Sequence, residues 1–218
     1  MMSDYVLLSG YKENGFYETS QEAIKKVIKE TASITFIASV WQRHERNDGA
    51  SKAIHGWFKK MGINFKDYRL IDDRVENDKQ VEWLQSSSCI FLMGGDTLAL
   101  RKQLRINKLD DLLLNHKGPI IGISAGAINM AKRSVLPLTK MRKRSYVYKG
   151  IGLVDVTITP HFDLSRSEHI EKEVLPMSYE GLIYGLEEDG TILVSGDQVE
   201  FFGTVHQIHK GQITCIHT

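Results

Sequence analysis

A serine between two glycines is the sharpest chemical signal in the sequence. Ser124 lies in the pentapeptide GISAG (residues 122–126), directly after an apolar run and before a helix-forming segment. Glycines at these positions permit a tight strand-to-helix turn that raises the serine Oγ above the edge of a sheet. The free N–H groups at the start of the next helix would face negative charge that develops beside the serine. The pattern indicates a nucleophilic serine, and a structural glycine-rich turn is the other interpretation.

A second glycine turn follows another apolar run. The segment MGGDT (residues 93–97) contains two glycines, and Asp96 or Thr97 can cap the helix that follows. Because glycine lets a backbone approach a substrate closely, the N–H groups of this turn suit an oxyanion hole. A purely structural turn fits the same pattern.

A nucleophilic serine needs a general base, and the base needs an acidic residue to orient it. His161 follows an alternating strand in ITPHFD, where a proline-ended loop would present it at the edge of a sheet. Glu187 and Glu188 follow a short apolar strand in LEEDG, for which a solvated turn is the other interpretation. The remaining histidines are expected in polar helices or loops, in a surface turn and at exposed strand positions: His44, His55, His116, His169, His206, His209 and His217.

Strands that alternate with helices must position these segments. Apolar runs predict strands at 5–9, 33–39, 68–71, 89–93 and 119–123, and the stretches between them predict helices such as 21–30, 51–61 and 79–85. This order implies βαβ units, hence an α/β fold with a mainly parallel sheet flanked by helices and a site at the carboxyl ends of the strands. The last third, residues 183–217, carries frequent turn signals. We expect it to be β-rich, partly antiparallel and part of one edge of the same sheet.

Length and composition exclude several classes of protein. The chain has 218 residues, Lys+Arg 28 against Asp+Glu 27 and two cysteines, which predicts a single domain over 1–218. A near-zero net charge argues against a nucleic-acid partner. No apolar run approaches the roughly 18 residues of a membrane span, and we find no signal peptide. Cys89 and Cys215 cannot supply a disulfide framework or a structural zinc site, so we expect a cytoplasmic protein without metal or organic cofactor.

A basic tract, KMRKRSYVYK (residues 140–149), lies between Ser124 and His161 along the chain. Its interleaved tyrosines are compatible with nucleic-acid binding, but the neutral charge of the whole chain favours a solvated loop. The tract could also border the cleft and attract acidic substrates.

Four segments in this order, FLMGGDT, GISAGA, ITPHFD and YGLEEDG, resemble peptidase family S51, which includes aspartyl dipeptidases and cyanophycinases. The resemblance runs over nearly the whole chain. It implies an α/β fold related to the class I glutamine amidotransferases, a Ser-His-Glu triad and no cofactor.

The resemblance also implies roles for particular residues. On the matching positions the nucleophile falls on Ser124, the base on His161 and the acid on Glu188, with Glu187 as a nearby alternative. The backbone N–H groups of two further residues would form the oxyanion hole: Gly95 and Ala125.

Arg166 is the residue that the resemblance connects with substrate choice. Aspartyl dipeptidases cleave dipeptides that begin with aspartate, and an arginine after the histidine segment recognises that carboxylate. Arg166 is the matching arginine, and a guanidinium can bind a carboxylate through two hydrogen bonds. The loop between His161 and Arg166 is shorter than in those enzymes, and a surface arginine near Glu168 is the other interpretation.

Two other functions fit part of the pattern. Esterases of the α/β-hydrolase type also use G-x-S-x-G, in the chain order serine, acid, histidine, which Ser124, Glu188 and either His206 or His209 would satisfy. A non-catalytic, amidotransferase-like binding module is the third function, although the related amidotransferases carry cysteine where this chain has serine. The combined set of serine, histidine, glutamate and glycine turn favours a serine peptidase that acts on small peptides.

Overall fold

The structure is a computed structural model that describes residues 3–138 and 144–218. Its strands are β1 (Asp4–Leu8), β2 (Ser33–Ile37), β3 (Asp67–Ile71), β4 (Cys89–Leu92), β5 (Ile120–Ile123), β6 (Arg133–Leu136), β7 (Tyr146–Lys149), β8 (Ile158–Thr159), β9 (Ile183–Leu186), β10 (Thr191–Ser195), β11 (Gln198–Phe202), β12 (Val205–His209) and β13 (Gln212–His217). Its helices are α1 (Glu18–Val27), α2 (His44–Lys60), α3 (Asn77–Ser86), α4 (Thr97–Ile106), α5 (Asp110–Asn115), α6 (Ala125–Met130) and α7 (Ser167–His169), with a π-helical turn at Ile170–Val174 and a 3-10 turn at Pro176–Tyr179.

A large, mostly parallel sheet forms the centre of the fold, as the sequence predicted. Within the described ranges it has seven strands in the order β11-β10-β1-β5-β4-β2-β3. The strands from β1 to β3 in this order are parallel, whereas β10 and β11 add an antiparallel edge. Every residue of β2, β4 and β5 is buried, because helices flank the parallel part of the sheet. The α/β prediction is therefore confirmed.

The last third of the chain departs from the prediction. β10 and β11 complete the edge of the central sheet as expected, but β9, β12 and β13 do not join it. They pair with β8 in a separate sheet of order β13-β12-β9-β8, counted over the residues that the structure describes. A second apolar cluster that includes Phe162, Ile170, Val174 and Ile208 packs on this sheet. The alternation of side chains identifies a strand but carries no information about which sheet the strand joins.

The segment between the nucleophile and the base adds a small hairpin. β6 pairs with β7 in an antiparallel ladder, and most side chains of β7 are exposed. Residues 140–143 of the basic tract lie outside the described residues. In the part of the chain that the structure covers, no helix combines the length and the apolar character that a membrane crossing requires.

Candidate active site

Ser124 is the single residue between β5 and α6. Its backbone has φ 48° and ψ −107°, a conformation that costs an L-residue about 1–3 kcal/mol and is found mostly at functional sites. The Ser124 N–H donates to the Leu8 carbonyl over 2.9 Å, which ties the turn to the neighbouring strand β1. The turn is therefore held in a strained shape that projects the hydroxyl from the carboxyl end of the sheet.

The two glycines of the pentapeptide let α6 pack directly on the sheet. A Cβ on Gly126 would collide with the Leu92 carbonyl of β4, and a Cβ on Gly122 would lie 2.7 Å from the Ala127 nitrogen. Any larger residue at either position would push the helix away from the strands. These glycines are thus needed for close packing around Ser124.

His161 lies between Ser124 and Glu188. Its Nε2 is 2.9 Å from Ser124 Oγ, and its Nδ1 is 2.6 Å from Glu188 Oε1. The side chains of His161 and Glu188 are 46% and 56% exposed, so the pair opens to solvent at a cleft. His161 also has a positive φ of 54°. The structure brings the serine, the histidine and the second of the two glutamates into one line of hydrogen bonds.

The end of β1 contacts all three of these residues, which sequence reasoning did not anticipate. The buried Ser9 Oγ accepts the His161 backbone N–H over 2.8 Å and donates to the Leu186 carbonyl over 3.0 Å. A Cβ on Gly10 would collide with Glu188 Oε2, so only glycine leaves room for that carboxylate. The available signal was a serine and a glycine directly after a strand, at the sheet edge where sites form.

Gly95, a predicted oxyanion donor, lies in the turn between β4 and α4. Its φ of 134° is a conformation that favours glycine, and a Cβ there would collide with the Ser39 hydroxyl. Ser39 Oγ donates to the Gly94 carbonyl over 2.8 Å, which holds the turn in place. Gly95 and Ser124 line the same cavity, and Ala125 begins α6 next to the serine. The two residues predicted to supply the N–H donors therefore lie near Ser124, one in the same cavity lining and one next to it in the chain.

Two cavities meet at His161. The smaller, of about 240 Å³, also contains Ser124 and Gly95 in its lining. The larger, of about 650 Å³, also contains Glu188. Arg166, the predicted substrate-binding residue, lines both cavities as well.

The histidines of the esterase alternative lie elsewhere. His206 is buried, which corrects the prediction of an exposed strand position. Its Nε2 is 2.7 Å from Glu187 Oε1, and its ring packs 5.2 Å from the Phe162 ring. His209 is an exposed residue at the end of β12. Neither lines the two cavities among the described residues, whereas Glu188 contacts His161.

Among the described residues, neither the two cysteines nor the one cluster of possible metal ligands lines these cavities. Cys89 is buried in β4, and burial raises the pKa of its thiol, while Cys215 is exposed on β13. In the described ranges, one group has ligand atoms close enough to share a metal ion: His44, Asp72 and Asp73. The buried Asp72 already forms an ion pair with Arg74 at 2.7 Å, and hydrogen bonds and charge from Arg74 outweigh the cost of burial and lower the pKa of Asp72.

Two solved structures share the fold of this chain. A peptidase from an acI-B1 Actinobacterium superposes with a TM-score of 0.69 at 18% identity, covering 100% of this chain and 95% of that one. A putative peptidase E protein from Listeria monocytogenes EGD-e superposes with a TM-score of 0.66 at 19% identity, covering 92% and 98%. At these identities the structures show a shared fold.

The family follows from the sequence match. Residues 5–202 match the model of peptidase family S51. The chain is therefore a peptidase, and it belongs to peptidase family S51.

Proposed function

We propose that this protein is a serine peptidase that hydrolyses small peptides through Ser124, His161 and Glu188. The observation that carries the proposal is the continuous line of hydrogen bonds from Ser124 Oγ through the imidazole to Glu188, at 2.9 and 2.6 Å. In this arrangement Nε2 of His161 accepts the serine proton while Nδ1–H donates to the carboxylate. Glu188 then keeps the imidazole in the required tautomer and stabilises the imidazolium that forms.

The reaction proceeds in two steps. Ser124 Oγ bonds to the peptide carbonyl carbon as His161 takes its proton, and the C–N bond breaks when Nε2 returns that proton to the leaving amine. Water then attacks the ester on Ser124, losing a proton to His161, and Ser124 is regenerated with the carboxylic acid as the second product. The same histidine acts as base and acid in each step.

The backbone around Ser124 supplies the electrostatic part of the mechanism. The carbonyl oxygen becomes negatively charged in the tetrahedral intermediate, and the N–H groups of Gly95 and Ala125 are the proposed donors. Loss of one such donor typically reduces kcat by about 10²–10³-fold. The positive end of α6 adds to this stabilisation because it begins at Ala125.

Arg166 supports the finer part of the proposal, a substrate with a carboxylate near the scissile bond. A dipeptide offers two such groups: the side chain of an N-terminal aspartate, as the resemblance implied, and the carboxylate at its C-terminus. A guanidinium at the junction of the two cavities can bind either one bidentately.

Replacement of the serine tests the proposal. We expect Ser124→Ala to lower kcat for peptide hydrolysis by about 10⁵–10⁶-fold, with an unchanged circular dichroism spectrum. In the wild-type protein a fluorophosphonate should also phosphonylate Ser124, with the loss of fluoride. Ser195→Ala is the matched control, because Ser195 lies at the opposite end of the sheet, paired with Asp4. Unchanged turnover in Ser124→Ala would refute the mechanism.

A further inference from the structure

One wall of the cavity beside the nucleophile is aliphatic. It lies between α6, β6 and the π-helical turn, and it is formed by buried side chains: Ile128, Val135, Leu136, Ile170 and Val174. Thr97 and Thr159 are polar residues of the same lining. A carboxylate that entered this space would lose its hydration, which is costly unless a cation compensates it. An aliphatic side chain would instead gain from leaving water.

Charged side chains of both signs also line this cavity. Arg166 faces Asp163, whose pKa is lowered, chiefly through hydrogen bonding by Ser165 and further by Arg166. His169 also lines the cavity, and burial together with Arg166 lowers the pKa of its imidazole. Arg166 is the only lysine or arginine in the described lining of this cavity, and the carboxylate of Asp163 lies in the same lining.

The larger cavity has a different lining. Polar and charged side chains dominate it, including Lys12, Tyr17, Glu187 and Asp189. No carboxylate lies within salt-bridge distance of the Arg166 guanidinium in residues 3–138 and 144–218, whereas Lys12 pairs with Glu18. Arg166 is therefore free to bind a substrate carboxylate in this cavity.

The reacting groups determine which residue of a peptide enters which cavity. Ser124 Oγ and the Gly95 N–H must both contact the attacked carbonyl, and both line the smaller cavity. Of the residues described, neither lines the larger one. His161 lines both and hands its proton to the leaving amine, so the leaving residue departs toward the larger cavity.

We propose that the aliphatic wall of the smaller cavity binds the side chain of the residue whose carbonyl Ser124 attacks, and that Arg166 binds the C-terminal carboxylate of the leaving residue. This inference rests on the proposed serine mechanism and narrows its substrate class. The preferred substrates are free dipeptides with an aliphatic N-terminal residue, not with aspartate. The opposite charges of Asp163 and Arg166 at the shared mouth complement the ammonium and carboxylate of such a dipeptide.

Three peptides test the inference on the wild-type protein: Leu-Ala, Asp-Ala and Leu-Ala amide. We expect kcat/KM for Leu-Ala to exceed that for Asp-Ala at least about tenfold. Amidation should lower kcat/KM by about 10- to 100-fold, the usual effect of losing a charge-assisted contact. Arg166→Gln should impose a similar loss on Leu-Ala and leave Leu-Ala amide unchanged.

Faster hydrolysis of Asp-Ala than of Leu-Ala would overturn the inference and leave the serine mechanism intact. Equal losses on Leu-Ala and its amide in Arg166→Gln would overturn the role of Arg166. If none of the three peptides were cleaved, the inference would also fall. Fluorophosphonate labelling of Ser124 would then show whether the proposed mechanism falls with it.

A variant in the wall of the cavity provides the second test. Val174→Ala enlarges the space, so the ratio of kcat/KM for Phe-Ala to that for Leu-Ala should rise at least about threefold. Val27→Ala removes the same atoms from a buried position in α1, away from the cavity, and should leave the ratio unchanged. An unchanged ratio in folded Val174→Ala would contradict the proposed binding of the side chain.

Discussion

Two histidine–glutamate pairs, the ones formed within the described residues, differ in what surrounds them. His161 bonds Glu188 at 2.6 Å and His206 bonds Glu187 at 2.7 Å. The first histidine is half exposed, and its second ring nitrogen faces Ser124. The second is 4% exposed and packs against Phe162. The same two residue types thus form one pair with an exposed imidazole and one pair with a buried imidazole.

The difference arises from neighbouring positions in one turn. Glu187 and Glu188 follow β9, where the chain enters a turn. The Glu188 carboxylate bonds His161, and the Glu187 carboxylate bonds the buried His206. The comparison teaches that a histidine–acid pair is a candidate for catalysis only when the second ring nitrogen faces a nucleophile and a substrate can reach it.

The largest expected contrast comes from removing each histidine. His161→Ala should lower kcat by about 10⁵–10⁶-fold, because the serine loses its base. His206→Ala should change kcat by less than about tenfold and lower the free energy of unfolding by about 2–4 kcal/mol, because it leaves a cavity and an unpaired carboxylate. Steady-state kinetics and urea denaturation measure the two effects. Comparable losses of kcat in both variants would remove the functional distinction between the pairs.

Replacing each glutamate by glutamine tests the same contrast from the acid side. Glu188→Gln should lower kcat by about 10³–10⁴-fold, because an amide can stabilise the wrong imidazole tautomer and cannot stabilise the imidazolium. Glu187→Gln should leave kcat nearly unchanged. The pair of variants, assayed with one dipeptide substrate, decides which glutamate is the acid. A larger loss in Glu187→Gln would transfer the assignment to that residue.

A smaller effect is expected at Gly10, which follows β1 and lies against Glu188 of the His161–Glu188 pair. Gly10→Ala places a methyl group against the Glu188 carboxylate, and overpacking of this kind costs about 1–3 kcal/mol, equivalent to about 5- to 150-fold in rate. We expect the loss in kcat with KM unchanged, since Gly10 acts through the position of Glu188. Gly15→Ala is the matched control, because nothing lies within 4 Å of a Cβ there. A loss confined to KM would contradict the positioning role.

His116 extends the comparison to a buried histidine whose Nε2 has no partner among the described residues. Burial lowers its pKa from 6.5 to about 4, so protonation favours the unfolded chain. The free energy of unfolding is highest above pH 6.5, where the imidazole is neutral in both the folded and the unfolded chain. It decreases as the pH falls toward 4, by at most about 3 kcal/mol. His116→Leu should flatten this part of the pH profile in urea denaturation. His209→Leu, at an exposed position, should retain the wild-type profile, and an equal flattening there would contradict the assignment.

Much of the central fold could be predicted from local patterns. Apolar runs located the five parallel strands within one or two residues, since a strand buried on both faces must be apolar throughout. Helix α2 begins at His44, earlier than the predicted 51. Its polar first turns carry no apolar stripe, and Asn47 is held by hydrogen bonds to the Val40 and Trp41 carbonyls. His116 was expected in a surface turn and His206 at an exposed strand position, yet both are buried. The neighbouring residues do not indicate this burial, because it depends on segments that are distant in the sequence.

The sequence by itself determined the strand–turn–helix around Ser124, because the glycines, the apolar strand and the helix formers are contiguous and act locally. It also limited the candidates for the general base to a few histidines and the candidates for the orienting acid to two glutamates. Only the tertiary structure decided which histidine meets the serine and which glutamate meets that histidine. His161 is 37 positions from Ser124 and 152 from Ser9. Contacts over such separations depend on how whole strands and loops pack, which the spacing of residue types along the chain does not encode.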